Sequence, residues 1–435
     1  MNDSAKVEDQ SRAPVRIPSI SRVAPDGTLI ELVYDAEARK TALAVSRFGG
    51  MWNVEREVRI ETGDILVPYA ANNNLIANEC VMLPAKPEEF GLKRELLADI
   101  QAFLHRYVDL SPLFEQIAAY YVLLTWVYDA FNEVPYLRLR GDYGTGKTRA
   151  LMALGSLCYK AFFASGASTV SPIFHVLNSF GGTLIFDEAD LPFSDAKADM
   201  VKVFNNGTVR GMPVLRTVMN RQKEFNPQAF RVFGPKIIAM RGFFEDRALE
   251  SRFLTEEMGT RPLRADIPVS LPPAMKPEAL KLRNRLLHFR LCSFFDIKTD
   301  PAALIEGIEP RLNQIALSLL SLVDDREIRR VIQGWLIEAN TNTLSERRET
   351  VEGAVLASVV EAFAASQASN VPVRDIADRF NTVHCADYGG PMSNKWVSVV
   401  LRKTLRLTTR KSNGVYVVPV SEKPKVDALA ARLGM

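Results

Sequence analysis

The chain has 435 residues, of which 47% are hydrophobic and 24% charged, and its formal net charge is +3. This length excludes a single small core and favours two to four domains, while the composition excludes a disordered or fibrous chain and fits a soluble globular protein. So small a net charge announces no nucleic-acid partner for the chain as a whole, and any such contact needs a local basic patch.

Residues 1–15 are polar and read as disordered. From Arg16 to about Leu83 the pattern is short and strand-like. Asp26-Gly27 precedes an apolar run at Leu29–Tyr34, and Gly49-Gly50 separates Thr41–Phe48 from Met51–Ile60, which predicts a hairpin. A β-rich N-terminal domain over 1–87 follows, closed by Pro84–Pro87. Residues 88–131 turn helical, with Leu92, Leu96, Leu97, Ile100, Phe103 and Leu104 at three-and-four spacing. The most apolar stretch, Ile117–Tyr128, is shorter than the roughly 20 residues that span a bilayer, so a buried helix is expected there. No apolar run follows a basic start, and four scattered cysteines (Cys80, Cys158, Cys292, Cys385) lack zinc spacing or a disulfide framework. A cytoplasmic protein without a membrane partner is expected.

Residues 135–260 alternate apolar strand runs with helical runs, as in a layered α/β domain. Within them a strand at Tyr136–Arg140 leads into Gly141-Asp-Tyr-Gly-Thr-Gly146-Lys147-Thr148, and a helix rich in Ala and Leu follows. That is the context a phosphate-binding loop requires. Glycines such as Gly141, Gly144 and Gly146 let the backbone curl until successive N–H groups, those of Thr145 to Arg149 included, point at one anion, and the helix N-terminus adds partial positive charge. Lys147 supplies a point charge to the β- and γ-phosphates of ATP, and the Thr148 hydroxyl is a ligand for Mg2+.

Forty residues on, the apolar run Gly182–Phe186 ends in Asp187-Glu188. Unpaired carboxylates at the end of a buried strand are costly. Mg2+ held through Asp187 gives them a reason, with Glu188 placed to polarise the attacking water. The letters at 187–190 also spell the tetrapeptide of DEAD-box helicases. No Ser-Ala-Thr motif or downstream His-Arg-x-Gly-Arg run accompanies them, so that class is discounted.

A helix over 192–207 is expected to close on Asn206-Gly207, with glycine as its C-cap. Pro213–Val218 and Phe225–Phe233 then flank a polar tip holding Asn220, Arg221 and Lys223, similar to the DNA-engaging hairpin of some ring ATPases. Taken together, residues 135–260 resemble the AAA+ class, and within it the compact ATPases of phage, plasmid and integrated-element replication proteins, relatives of superfamily III and minichromosome-maintenance-like helicases. The resemblance rests on Gly141–Thr148, Leu184–Glu188, Phe233–Ala239 and Asp246–Phe253, and extends more loosely to the lid and C-terminus. It implies an arginine finger at Arg252, with Arg247 second, reaching a neighbouring subunit's γ-phosphate. It also implies a second sensor segment at Pro310–Ile315, with Arg311 contacting nucleotide. Where the family carries a polar residue after Ala239, this chain has Met240-Arg241, so Arg241 is the available substitute.

Prolines at 262, 268, 272 and 273 mark a boundary, and helical periodicity returns over 277–345. The last block pairs helices at Val351–Ala365, Val373–Phe380 and Ser393–Lys403 with strands at Leu405–Arg410 and Val415–Val418 around an Asn413-Gly414 hairpin signal. Three helices and a β-wing resemble a winged helix-turn-helix domain. Its basic residues Lys395, Arg402, Lys403, Arg406, Arg410 and Lys411, with no acid between Met392 and Val418, fit a phosphate-backbone contact with duplex DNA.

The fold class expected is therefore α/β: an AAA+ P-loop core with its preceding helices (88–261), a β-rich N-terminal domain (1–87), a helical lid (262–349) and a C-terminal winged helix (350–435). The resemblance implies an ATP- and Mg2+-dependent DNA helicase or translocase in replication of a mobile element or phage, a homo-oligomer and in particular a hexamer with single-stranded DNA through the ring. Two rivals stay open: a nucleotide-switched origin initiator or loader, and a signalling or defence ATPase without a DNA partner.

Overall fold

The computed structural model describes residues 14–47, 51–189, 195–219, 225–244, 246–366 and 369–435. They fall into two compact units that divide between Ile332 and Gln333.

A five-stranded parallel sheet organises the first unit. Its spatial order is Phe253–Glu257, Tyr136–Arg140, Lys236–Met240, Leu184–Asp187 and Phe162–Ser165. Parallel strands covered on both faces read as unbroken apolar runs, which is why Leu184-Ile185-Phe186 and Ile237-Ile238-Ala239 carry no alternation. Helices Lys147–Gly155, Val170–Phe180 and Asp195–Asn206 make the crossovers. Phe186, Phe204, Phe244 and Phe253 pack ring to ring under the sheet. Because all five strands run the same way, everything that follows a strand gathers at one edge. The strand Lys236–Met240 lies between the phosphate-loop strand and the acidic strand, so its end at Arg241 reaches that edge between them.

The N-terminal strands form two small sheets. Ser21–Val23, Leu29–Asp35, Lys40–Arg47 and Met51–Glu55 pair antiparallel, and the hairpin's final pair is Arg47 with Met51. The expected arm Met51–Ile60 is interrupted after Glu55. Val58–Arg59 crosses to a second sheet with Ile65–Pro68 and Arg16–Ser19, where Val58 buries opposite Leu66.

A buried charge cluster joins these strands to the core. Glu31, 1% exposed, accepts from Lys160 Nζ at 2.8 Å and Arg290 Nε at 2.7 Å, and Tyr159 donates to it at 2.8 Å. Arg290, on the helix Met275–Ser293, also grips both oxygens of Asp129 at 2.6 and 2.7 Å. Burial raises the Glu31 pKa, but the facing Lys160 and Arg290 overcome that and leave it lowered.

The apolar stretch near residue 117 forms the interior of the helix Pro112–Thr125, capped by Ser111, whose hydroxyl accepts from Phe114 N at 3.3 Å. Among the described residues no helix is long and apolar enough to cross a membrane. Gly207 follows the helix Asp195–Asn206 for a reason other than the one expected. Its φ is not in the left-handed region. A Cβ there would lie 2.3 Å from Lys236 Nζ and 2.7 Å from the Tyr136 hydroxyl, so close approach requires the glycine.

The second unit packs helices Val351–Ala365, Val373–His384, Asn394–Val399 and Lys423–Arg432 on a three-stranded antiparallel sheet of Val371–Pro372, Val415–Val418 and Arg410–Ser412. Ser393 caps the third helix through Trp396 N at 3.2 Å. That helix does not run unbroken to Lys403: a π-turn takes over at Val400–Thr404. The strand expected at Leu405–Arg410 begins only at Arg410. Leu405 and Leu407 bury as core anchors of an irregular segment in which Arg406 has φ 55°, and that mimics strand alternation. Asn413 and Gly414, with φ 48° and 83°, form the two-residue turn between Ser412 and its partner Val415.

Candidate functional site

At the C-terminal edge of the parallel sheet lies a pocket of about 600 Å3 lined by Tyr143–Arg149, Gly166, Asp187, Glu188 and Ala239–Arg241. The loop bends back on its glycines: Gly144 and Gly146 have φ of 73° and 86°, the second as N-cap of the helix that begins at Lys147. Gly141 answers to a close approach, since a Cβ there would sit 2.5 Å from the Met258 carbonyl. Lys147 Nζ donates to the carbonyls of Gly141 and Asp142, both at 2.6 Å, which seats its charge inside the curled loop. This lysine, the loop's amides and the helix N-terminus together make an anion site.

Thr148 Oγ1 donates to Asp187 Oδ2 at 2.7 Å, joining the loop to the acidic strand across 39 residues of chain. Asp187 Oδ1 accepts from Glu188 N at 2.9 Å. Glu188 is exposed and has φ 57°, a left-handed conformation that costs a non-glycine residue about 1–3 kcal/mol. Ala189 N donates to the Ala239 carbonyl at 2.9 Å and anchors the turn that holds this strain. A hydroxyl beside one carboxylate suits Mg2+, which keeps waters and phosphate oxygens as its other ligands. The donor set therefore fits that ion.

Two lining residues were not singled out in the sequence: Tyr143 and Gly166. Tyr143 is 81% exposed at the loop's tip, with Arg241 hydrogen-bonded to its hydroxyl and lying 4.3 Å over its ring. An aromatic residue at a variable loop position was the available signal. Arg241 itself, offered in the sequence as a substitute for a polar residue after Ala239, lines the pocket. Arg149 lines it too, while its guanidinium is held by the carbonyls of Tyr107 and Val269.

Arg252 and Arg311 are not brought to this pocket. Arg252 immediately precedes the strand Phe253–Glu257, whose first residue pairs with Tyr136, so it lies at the opposite edge of the sheet. Five residues at ~3.3 Å each put about 16 Å between it and its own phosphate loop. It is 8% exposed, and its Nη2 donates to the Asn205 carbonyl at 3.3 Å. Burial, and then the charge of nearby Arg311, lower its pKa. Arg311, exposed near the start of the helix Pro310–Leu320, thus sits within electrostatic reach of Arg252. Of Arg247 only the backbone is described, and Arg221 and Lys223 lie outside the described residues.

In the second unit Lys395, Arg402, Lys403, Arg406, Arg410 and Lys411 are all exposed. They occupy the third helix, the π-turn after it, the segment that follows and the first strand of the hairpin.

No protein-family model matches the chain, and no curated protein does. Among solved structures it is similar to the C-terminal region of NrS-1, with 12% identity over 90% of this chain and 96% of that one at a TM-score of 0.38. It is also similar to SCCmec type IV Cch, described as an active helicase, with 11% identity over 96% of this chain and 95% of that one at 0.37. JCV helicase matches at 17% identity over 57% of this chain and 66% of that one, at 0.24. At these scores the shared architecture is loose, and the functional reading rests on the site's own geometry.

Proposed function

We propose that this chain hydrolyses ATP as an AAA+ motor on DNA, a helicase or translocase for replication of a mobile element or phage, assembled as a homo-oligomer and in particular a hexamer. The observation that carries the reading is the Thr148–Asp187 contact of 2.7 Å beside Glu188, in a pocket whose other wall is the Lys147 loop. A strand-end acid pair facing a phosphate loop has a use when a nucleotide lies between them. Lys147 exchanges the carbonyls of Gly141 and Asp142 for the β- and γ-phosphates, and the loop amides bind the same charge. Thr148 and Asp187 would hold Mg2+, which when bound neutralises phosphate charge. Glu188 orients a water and takes its proton as the water oxygen attacks the γ-phosphorus and ADP leaves.

The finger is supplied in trans. What supports this is that Arg252 lies too far from its own pocket to reach a nucleotide there. The exposed basic residues of the second unit, on a winged helix, support a contact with duplex phosphates. Single-stranded DNA passes through the ring.

Glu188→Gln tests the chemical core. It keeps shape and metal but loses the base, so ATP should bind while turnover falls by about 10²-fold or more. Wild-type turnover in that variant would remove Glu188 from the mechanism. Strand displacement on a forked duplex, absent in Lys147→Ala, separates a helicase from an initiator that binds without travelling.

A further inference from the structure

At the sheet edge opposite the phosphate pocket, a cleft of about 1000 Å3 opens between the N-terminal strands, the end of the helix Val170–Phe180 and the base of the hairpin Val214–Met219/Phe225–Phe230. We propose that this cleft binds a nucleotide unit, one base with its phosphate. Two half-buried rings, Tyr69 and Phe233, are accessible in its wall. The Arg210 guanidinium lies 5.4 Å over Phe233 and is held there by the carbonyls of Asp129 and Phe131, so the pair is a preformed stacking platform. Arg231 is exposed, and its side chain has no partner among the described residues. Asp129 is the one carboxylate among the described lining residues, and Arg290 occupies both of its oxygens. The cleft therefore offers cations and flat rings with no free anion, which suits a base and a phosphate.

A track leads into it. Residues Phe225, Pro227 and Ala229 are exposed along one hairpin strand, and Arg231 follows directly after its last residue, Phe230. Met219 and Leu215 stand opposite Phe225 and Ala229, and Phe225 and Leu215 are 77% and 70% exposed. Stacking on such surfaces is tolerant of base identity and contributes about 1–3 kcal/mol per base. The unit can come from a single strand laid along this face or from a free nucleotide. The strand source rests on the DNA-motor reading.

The test uses the full chain with saturating ADP and Mg2+, which keeps the phosphate pocket out of the measurement. Fluorescein-labelled dT12 and, separately, AMP are titrated against wild type, Arg231→Glu and the plugging variant Ala229→Trp, with thermal melts confirming the fold. Both substituted residues are exposed and outside the phosphate pocket. Both variants should weaken dT12 binding by about tenfold or more, and Arg231→Glu should lower the slope of log K against log salt by about 0.7. AMP binding lost in the same variants, without dT12 binding, would support the cleft with a free nucleotide as its ligand. Wild-type affinity for both probes in both variants would overturn the proposal, as would binding of neither probe by wild type. Basal ATP hydrolysis measured without DNA should match wild type in both variants. Its absence from wild type would sink the ATPase reading alone, because the titrations report on the cleft whether or not ATP is hydrolysed.

Discussion

Lys147, Thr148, Asp187 and Glu188 stood out in the sequence because phosphate chemistry demands those residue types at fixed places on a strand, a loop and a helix, and the structure lines one pocket with all four. What could not be read were partners set by tertiary contact. Nothing in Leu29–Asp35 announces that Glu31 faces Lys160 and Arg290, residues 129 and 259 positions away. The apolar run at Leu29–Tyr34 suggested only a strand. Removing one member of such a cluster is costlier than the cluster's net worth, because charge is left buried without compensation. Glu31→Gln would confront two buried cations, and we expect a loss of about 3–5 kcal/mol in chemical denaturation. The sign with pH follows from the lowered pKa. The carboxylate's contribution is present above its ordinary value of 4.5 and is lost as pH falls through the folded-state value. The gap between wild type and Glu31→Gln should therefore narrow in acid below pH 4.5. A gap that held constant there would mean that Glu31 is not ionised in the folded chain.

Elements were legible where one periodicity dominated. The helices Val351–Ala365 and Val373–His384 and the Asn413-Gly414 turn follow from local pattern. The strand expected from Leu405 failed because two leucines anchoring an irregular segment imitate alternation. The short strand Val371–Pro372 and the closing helix Lys423–Arg432 were missed, the first because its two residues have meaning only beside Val417 and Val418. The exposed cations of this unit lead to a prediction at the same scale. Each phosphate they neutralise releases counterions, so deleting residues 350–435 should flatten the salt dependence of duplex DNA binding. An unchanged slope would move that contact elsewhere in the chain and favour a C-terminal unit used for protein contacts.

For the whole molecule, the position of Arg252 matters most. In the reading proposed above, an arginine about 16 Å from its own phosphate loop can reach ATP only across an interface between copies. Arg252→Ala should then bind ATP and be nearly inactive, since a guanidinium at the γ-phosphate contributes roughly 10³–10⁵ in rate. Lys147→Ala should fail at the earlier step, losing nucleotide binding. Mixing the two inactive variants should restore some activity, because occasional interfaces pair an intact Lys147 with an intact Arg252. A flat line at zero against mixing ratio, with native mass showing mixed oligomers, would return Arg252 to a structural role.

ATP hydrolysis by the full chain, measured with and without single-stranded DNA, tests the central claim most directly. The account predicts a basal rate that requires both Lys147 and Glu188 and that rises when a strand is added. No hydrolysis under either condition, or a rate indifferent to Lys147→Ala, would contradict the ATPase itself, and a rate that depends on Lys147 but never responds to DNA would contradict the motor.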